Sequence, residues 1–293
     1  MRKLLAPIGV LLLSILLSPV PPAQGGASLL DIRLSAASPS QGDPVLVRAT
    51  ATVPADAATA RWEGREYPLK QDADGGFLGV IGVDLLAPPG KRTLAVEARR
   101  GRRVVARADI PVTVRGRTFP VQELTLPPRM TEFDRATLQR IDREAKRLAG
   151  KFSRISSPVR WTVPFLPPVA DFRPGPFGSR RVINGEPRSP HAGVDLVLPE
   201  GTPVVAIADG VVAFAGEQFF GGNSVVLDHG GGLFSVYYHL REAVVSDGQE
   251  VARGERIGSV GMSGRATGPH LHFSVRAAGG RVDPTLLLAL PAR

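Results

Sequence analysis

Apolar and polar side chains alternate over three long stretches before residue 115. Val45, Val47, Ala49, Ala51 and Val53 take every second position, Leu94, Val96 and Ala98 repeat the pattern, and Val104, Ala106, Ala108, Ile110, Val112 and Val114 continue it across a turn. A period of two is that of a strand with one buried face. Ser38-Pro39, Gly42-Asp-Pro44, Asp74-Gly-Gly76 and Pro88-Pro-Gly90 punctuate these runs. Together they predict a small β-sandwich, immunoglobulin-like, over residues 27–118. The period changes in a connector, residues 119–160. There Leu138, Ile141, Ala145 and Leu148 recur at helical spacing, with Asp134 placed to cap the helix and Gly150 to end it.

Short β-rich runs return in a third region, residues 161–293. Val204 to Ala208, Val211 to Ala215, Ser224 to Asp228, Leu233 to His239 and His270 to Val275 are separated by Asp209-Gly210, Gly221-Gly-Asn223 and Gly230-Gly-Gly232. These are hairpin signals of an antiparallel scaffold. Gly221-Gly-Asn223 lacks the lysine and following helix of a phosphate loop and reads as a turn. The expected fold is mostly β: an antiparallel C-terminal domain preceded by a small sandwich and a connecting helix.

The 293 residues suit two domains, and 43% hydrophobic content is ample for packed cores. Arg2-Lys3, the largely apolar stretch Leu4 to Leu17 and the segment ending at Gly25 have the layout of a secretory signal, residues 1–25. That stretch is shorter than the roughly 20 apolar residues of a membrane span and contains Pro7, although an uncleaved anchor is the competing reading. The expected location is the periplasm or cell envelope, or outside the cell, with no transmembrane segment in the mature protein. The absence of cysteine leaves stability to the cores and provides no lipid acceptor.

The net charge of +9 falls to +7 if Arg2 and Lys3 leave with the signal. Residues 91–117 hold nine basic side chains against only Glu97 and Asp109. Export and the lack of interleaved aromatics argue against nucleic acid. Two readings stay open: attachment to anionic cell-envelope polymers, or a solvated hairpin face.

The candidate chemistry lies in the third region. All five histidines fall between residues 191 and 272, with His191-Ala-Gly-Val-Asp195 and His270-Leu-His272 as the two clusters. Imidazole nitrogen and carboxylate oxygen both suit Zn²⁺, and a catalytic zinc typically takes three protein ligands and leaves one open position. In His270 to Val275 the apolar residues occupy the odd positions, so both imidazoles share one face of a strand. Four residues of straight strand span about 13 Å, so His191 and Asp195 meet only if the chain bends. Gly193 permits that bend, which places His191 at a loop end and Asp195 at the start of a strand through Leu198. A lone histidine is more often structural than a ligand, and His229, before the triple glycine, reads that way. Two spaced clusters are a more specific signal.

Over roughly Phe172 to Pro284 the sequence resembles the lysostaphin-type or LytM-type zinc metallopeptidases, which cut peptide bonds in bacterial peptidoglycan. The resemblance is carried by Phe177-Gly-Ser-Arg180, Ser189-Pro-His-Ala-Gly-Val-Asp195, the run from Gly201 to Gly210, Leu227-Asp-His-Gly230, Tyr238-His-Leu240 and Thr267-Gly-Pro-His-Leu-His-Phe273. It implies that His191, Asp195 and His272 bind zinc while His239 and His270 flank the metal-bound water. The chain lacks a His-Glu-x-x-His motif, so His239 and His270 are the candidates for proton transfer, with their division of labour open. The Gly261 to Gly268 loop is expected to form a cleft wall. Family members cut either glycyl-glycine or D-alanyl-diaminopimelate bonds. Arg180, Arg181, Arg188 and Arg265, unless they are simply solvated, favour the anionic diaminopimelate stem. The alternative function is a non-catalytic cell-wall-binding or hydrolase-activating factor. The presence of all five metal-site residues favours an enzyme.

Overall fold

The computed structural model describes residues 29–291, so the expected signal segment lies outside the described residues. The N-terminal unit has seven strands: β1 (Leu30–Leu34), β2 (Pro44–Ala51), β3 (Ala57–Trp62), β4 (Arg65–Gln71), β5 (Phe77–Gly82), β6 (Gly90–Arg100) and β7 (Arg103–Val114). Their order is β1-β2-β5-β4-β3-β6-β7, with every pair antiparallel. This path contains the two strand sets of an immunoglobulin-like sandwich, β1-β2-β5-β4 and β3-β6-β7. The sets join because β4 pairs with β3 through Arg65–Leu69 and with β5 through Lys70–Gln71. The alternating residues supply the core. Val45, Val47, Leu94, Val96 and Val112 are buried around Trp62, whose indole nitrogen donates to Gly82 O at 2.9 Å.

The connector forms β8 (Val121–Leu124), a short 3-10 turn (Pro128–Met130) and helix α1 (Arg135–Phe152). Asp134 caps α1 by accepting from Thr137 N at 2.7 Å. Gly150 does not end the helix as expected. The helix runs on to Phe152, whose ring packs edge-on against Phe234 at 5.5 Å, and the Ser153 N–H then bonds Ala149 O. Tertiary packing overrides a single weak helix former.

Two short strands, β9 (Arg180–Ile183) and β10 (Glu186–Pro187), join β8 in a separate three-stranded sheet in which β8 and β9 are parallel. The main C-terminal sheet contains β11 (Val194–Val197), β12 (Pro203–Val205), β13 (Gly210–Gln218), β14 (Gly222–Asp228), β15 (Leu233–Ala243), β16 (Glu250–Val251), β17 (Arg256–Val260), β18 (His270–Ala277) and β19 (Gly280–Val282). A short helix α2 (Pro284–Leu288) follows. The main order is β11-β18-β15-β14-β13-β16, with β17 bridging β15 to β12 and β19 pairing with β18. Gly230, Gly231 and Gly232 turn β14 into β15 with φ of 80°, 63° and 78°, a conformation that a side chain would strain.

Asp209-Gly210 is not a hairpin turn. The expected strand Val204 to Ala208 shortens to β12, which pairs with β17 and not with β13. The chain instead bends past His229, which bonds Asp209 O at 2.8 Å, and a Cβ on Gly210 would meet the His229 ring at 2.9 Å.

The two units share a core. Leu46, Leu78, Val80 and Leu85 belong to the same buried cluster as Phe177, Phe273, Val282 and Leu287. Polar contacts fix this seam. Arg281 gives Asp84 a bidentate pair at 2.8 and 2.6 Å, its backbone N–H adds a third bond at 2.9 Å, and Arg117 reaches Asp283 at 3.0 Å. Burial alone would raise the Asp84 pKa, but the bonds from Arg281 and Leu86 together with the Arg281 charge hold it below the usual carboxylate range.

Asp84→Ala leaves Arg281 half-buried without its partner and is expected to cost about 1–3 kcal/mol. Because the core is shared, urea denaturation followed by tryptophan fluorescence and by circular dichroism should give one coincident transition at a lower midpoint. An unchanged midpoint would show that the seam contributes nothing to stability.

Candidate metal centre

The site is built on one strand pairing. In the β11–β18 register Asp195 stands directly opposite His272, between Val194 opposite Phe273 and Leu196 opposite Leu271. Val194, Leu196, Leu271 and Phe273 are buried, which turns Asp195, His270 and His272 to the other face. His191 lies just before β11, anchored by its backbone: its N–H bonds Ser179 O and its carbonyl accepts from Gly178 N, both at 2.9 Å. Gly193 carries the chain close over β18. A Cβ there would lie 2.6 Å from Phe273 O, 2.7 Å from Ser274 Cβ and 2.8 Å from His272 Cε1. The glycine serves close approach, and its φ lies outside the left-handed region.

Three ligand-type atoms therefore meet. His191 Nε2 is 2.8 Å from His272 Nδ1 and 3.1 Å from Asp195 Oδ1, and His272 Nδ1 is 2.9 Å from the same oxygen. Ligand atoms around a tetrahedral ion with bonds of about 2.0–2.1 Å lie about 3.3 Å apart, so a small divalent cation fits this triangle with minor widening. No other group of His, Cys, Asp and Glu among the described residues converges in this way. Burial alone would raise the Asp195 pKa, but hydrogen bonds from His191 and His272 and their charges outweigh it and hold the carboxyl well below its ordinary range. Burial pushes His272 down, partly opposed by its bond to Asp195. Tyr238 stacks on the His272 ring at 5.5 Å and 17° and limits its rotation.

His239 and His270 stand beside this triangle with their rings 4.6 Å apart. His239 reaches the site through a β-bulge. Between the pairs Val225–Tyr237 and Asn223–Leu240 the strand β15 carries one extra residue, and His239 takes φ of 61°. Its N–H bonds Gly221 O at 2.7 Å, and its Nδ1 lies 2.9 Å from Ser263 O. His270 Nδ1 lies 2.8 Å from Gly268 O. A carbonyl can only accept, so both rings carry a proton on Nδ1, which leaves Nε2 as the nitrogen not engaged by these backbone bonds. His270 Nε2 is 3.9 Å from Asp195 Oδ1. Burial pushes the His239 pKa down to about 4, which keeps this imidazole neutral near neutral pH. His229 is not part of the site. It is fully buried, with its nitrogens bonded to Asp209 O and Ser235 Oγ at 2.8 and 2.7 Å.

Residues 189–284 match the family model Peptidase family M23. The C-terminal unit is an M23 peptidase domain, of the LytM type. Over 95 residues, 32% of this chain and 22% of the relative, it is 44% identical to peptidoglycan DD-endopeptidase ShyA of Vibrio cholerae. Over 101 residues, 34% of this chain and 23% of the relative, it is 46% identical to DD-carboxypeptidase/endopeptidase Mpg of Neisseria meningitidis serogroup B. The chain thus spans less than a quarter of the length of these relatives. A crystal structure of a candidate M23 peptidase from Pseudomonas aeruginosa is 28% identical with a TM-score of 0.66, covering 85% of this chain and 94% of that one. The likeness to that structure extends well beyond the M23 domain.

The connector roofs the M23 site. Gln122, Leu124, Leu126 and Met130 close a cavity of about 170 Å³ over His239, His270 and His272, with Arg265, Ala266 and Thr267 of the glycine-bearing loop as its wall. A neighbouring cavity of about 470 Å³ is lined by Leu138 and Ile141 of α1, by Phe133 and Phe220, and by Arg181, Arg188 and Arg265. The α1 stripe that recurs at helical spacing therefore faces a cleft at its N-terminal end. Leu138 is exposed, and only Leu148 of the helix is buried. Arg181 reaches Asp195 Oδ2 at 3.5 Å, a contact that residue spacing does not reveal. Arg180 falls on the other face of β9 and lines none of the cavities described here.

Gly193→Ala pushes a methyl into His272 and the β18 backbone. A loss of about 1–3 kcal/mol is expected, with weaker retention of divalent metal because the His272 ring must shift. Thermal melts with and without added Zn²⁺ test this. A variant with wild-type stability and an unchanged metal-induced rise in Tm would show that the close approach is unimportant.

Proposed function

We propose that this protein is an exported zinc endopeptidase that hydrolyses peptide crosslinks of bacterial peptidoglycan, with D-alanyl-diaminopimelate bonds as its substrate. The observation that carries this reading is the convergence of His191 Nε2, Asp195 Oδ1 and His272 Nδ1 beside the imidazoles of His239 and His270. Similarity to DD-endopeptidases over the M23 domain supports the choice of bond. In this reading residues 1–25 are a secretory signal that directs the chain to the periplasm or cell envelope, 27–118 form the sandwich, 119–160 the connector and 161–293 the peptidase domain. No helix among the described residues is long and apolar enough to cross a membrane.

His191, Asp195 and His272 would hold the zinc. When bound, zinc supplies Lewis acidity for the scissile carbonyl and lowers the pKa of water at its open position to about 7. The protein's own groups manage the proton. With Nδ1–H fixed on Ser263 O and Gly268 O, the Nε2 atoms of His239 and His270 are aimed at the reacting groups as acceptors. One takes a proton from the attacking water and, as imidazolium, can return it to the leaving amine. That imidazolium, with its new Nε2–H, donates to the oxygen of the tetrahedral intermediate before the proton passes to the leaving amine, while the other imidazole accepts through Nε2 and helps to orient the water. Arg181 reaches the second oxygen of Asp195, the one that His191 and His272 do not share. A non-catalytic hydrolase-activating role is not favoured, because neither the three ligand-type residues nor the two imidazoles are missing.

Ligands and proton handlers should separate on mutation. His191→Ala and Asp195→Ala are expected to lose most bound zinc and all measurable cleavage. His270→Ala should keep near-stoichiometric zinc while cleavage falls roughly 10²–10⁴-fold. Zinc content by plasma mass spectrometry beside release of crosslinked muropeptides is the measurement. Zinc loss in His270→Ala equal to that in His191→Ala would move His270 into the ligand set. Full cleavage by metal-free wild-type protein would end the zinc reading.

A further inference from the structure

The fold gathers three arginines next to the histidine cluster and gives them almost no acid. The β9–β10 hairpin pairs Ile183 with Glu186 and Val182 with Pro187, and the Arg188 N–H then bonds Arg181 O at 2.8 Å, so the two arginines stand opposite each other across the ribbon. Like charges in that position are destabilising. Arg265 joins them from the loop before β18, its guanidinium stacked over Phe220 at 4.1 Å and its Nη1 donating to Met130 O at 3.3 Å. All three line the same cavity of about 470 Å³, and Arg181 and Arg265 also line the cavity over the histidines.

The charge is left open. Among the described residues no carboxylate lies within 4.0 Å of Arg188 or Arg265, and Arg181 meets only Asp195, which His191 and His272 already share. Arg181 Nε is buried without a hydrogen-bond partner. The Arg265 pKa is lowered first by burial and then by the Arg181 and Arg188 charges, so its environment is short of negative charge. A solvated surface would let such side chains splay into water. Here Arg265 is held by its aromatic stack and a backbone carbonyl, and Arg181 is mostly buried.

We propose that Arg181, Arg188 and Arg265 form a carboxylate-binding subsite beside the M23 centre, which selects peptides carrying a free carboxylate next to the bond to be cut. The inference rests on the peptidase reading above and names the feature of the substrate that the site reads. Guanidinium forks match carboxylates in bidentate geometry, and an incoming carboxylate would satisfy Arg181 Nε and relieve the repulsion among the three cations. Phe133 and Phe220 with Leu138 and Ile141 supply an apolar wall for the adjoining aliphatic chain. In a diaminopimelate stem the carboxylate comes either from the diaminopimelate side chain or from a terminal D-alanine, and the two chemistries are the same.

The test uses the full chain carrying His270→Ala, to hold peptide without turnover, and three synthetic crosslinked stem peptides: unmodified, amidated at the diaminopimelate carboxylate, and amidated at the terminal carboxylate. Titration calorimetry is expected to show roughly tenfold or greater weakening for one of the two amides, which identifies the carboxylate that is read. Arg188→Gln, at an exposed position, and Arg265→Gln, each added to this chain, should weaken binding of the unmodified peptide by a similar factor and barely change binding of that amide, while Arg265→Lys keeps part of the affinity. Equal affinity for all three peptides, equal weakening of all three by the arginine substitutions, or no binding of any would overturn the subsite. Digestion of the same peptides by wild-type protein stands apart from this. Cleavage of any of them keeps the peptidase reading alive when the subsite fails, and cleavage of none removes that reading.

Discussion

The pairing of β11 with β18 is the contact on which the site depends. Its register sets Asp195 against His272, and a slip by one residue would turn Asp195 toward the core and Val194 or Leu196 toward the cavity. What forbids the slip is burial. Val194, Leu196, Leu271, Phe273 and Val275 are all essentially inaccessible, and each contributes on the order of 1.5–3 kcal/mol that a shifted register would forfeit. The hydrophobic face of these strands thus holds the polar one in place. Gly193 completes the arrangement, since only a residue without Cβ lets the chain from His191 cross so close to His272.

A second device places His239. Regular alternation along β15 would send residue 239 to the face opposite Tyr238, away from the stacked His272. The bulge adds one residue and a left-handed backbone, which for a non-glycine costs on the order of 1 kcal/mol or more. Ser263 offsets that cost. Its hydroxyl donates to Leu240 O and accepts from Asn223 N, and its carbonyl bonds His239 Nδ1, so one loop residue ties both strands and the imidazole together. Strain and its compensation lie at the same place, next to the candidate metal centre.

Much of this was legible in the sequence because it rests on local rules. Period two predicted the sandwich strands and the shared face of His270 and His272, and the Asp134 cap predicted the start of α1. Elements fixed by distant partners were not legible. Gly150 looks like a helix end until Phe234 is seen holding Phe152, and Asp209-Gly210 looks like a hairpin until β12 is seen pairing with β17. Leu138 and Ile141 share their stripe with Leu148, yet only Leu148 meets the sheet, because the N-terminal end of the helix lies over the cavity. Helical spacing shows that a face is apolar; the fold decides whether that face meets core or cleft. The Arg181–Asp195 contact joins residues that no spacing rule connects.

The seam between the two units changes the meaning of the basic hairpin. In sequence the charge of residues 91–117 belongs to one module and the chemistry to another, an arrangement that suggests a tethered binding domain. The structure places both on one packed body, with Leu46, Leu78, Val80 and Leu85 in the core that also holds Phe273, the residue after His272 and on the opposite face of β18. The charge is also narrower than its residue count. Arg92, Arg99, Arg107 and Arg117 have acidic partners, whereas Arg100, Arg102 and Arg103 at the β6–β7 tip are exposed with no carboxylate within 4.0 Å among the described residues. A cationic tip packed through a shared core onto the peptidase-like unit is not a freely tethered arm. Any polymer held there constrains the orientation of the M23 site as well as its distance, and that coupling follows from the shared core rather than from the charges themselves.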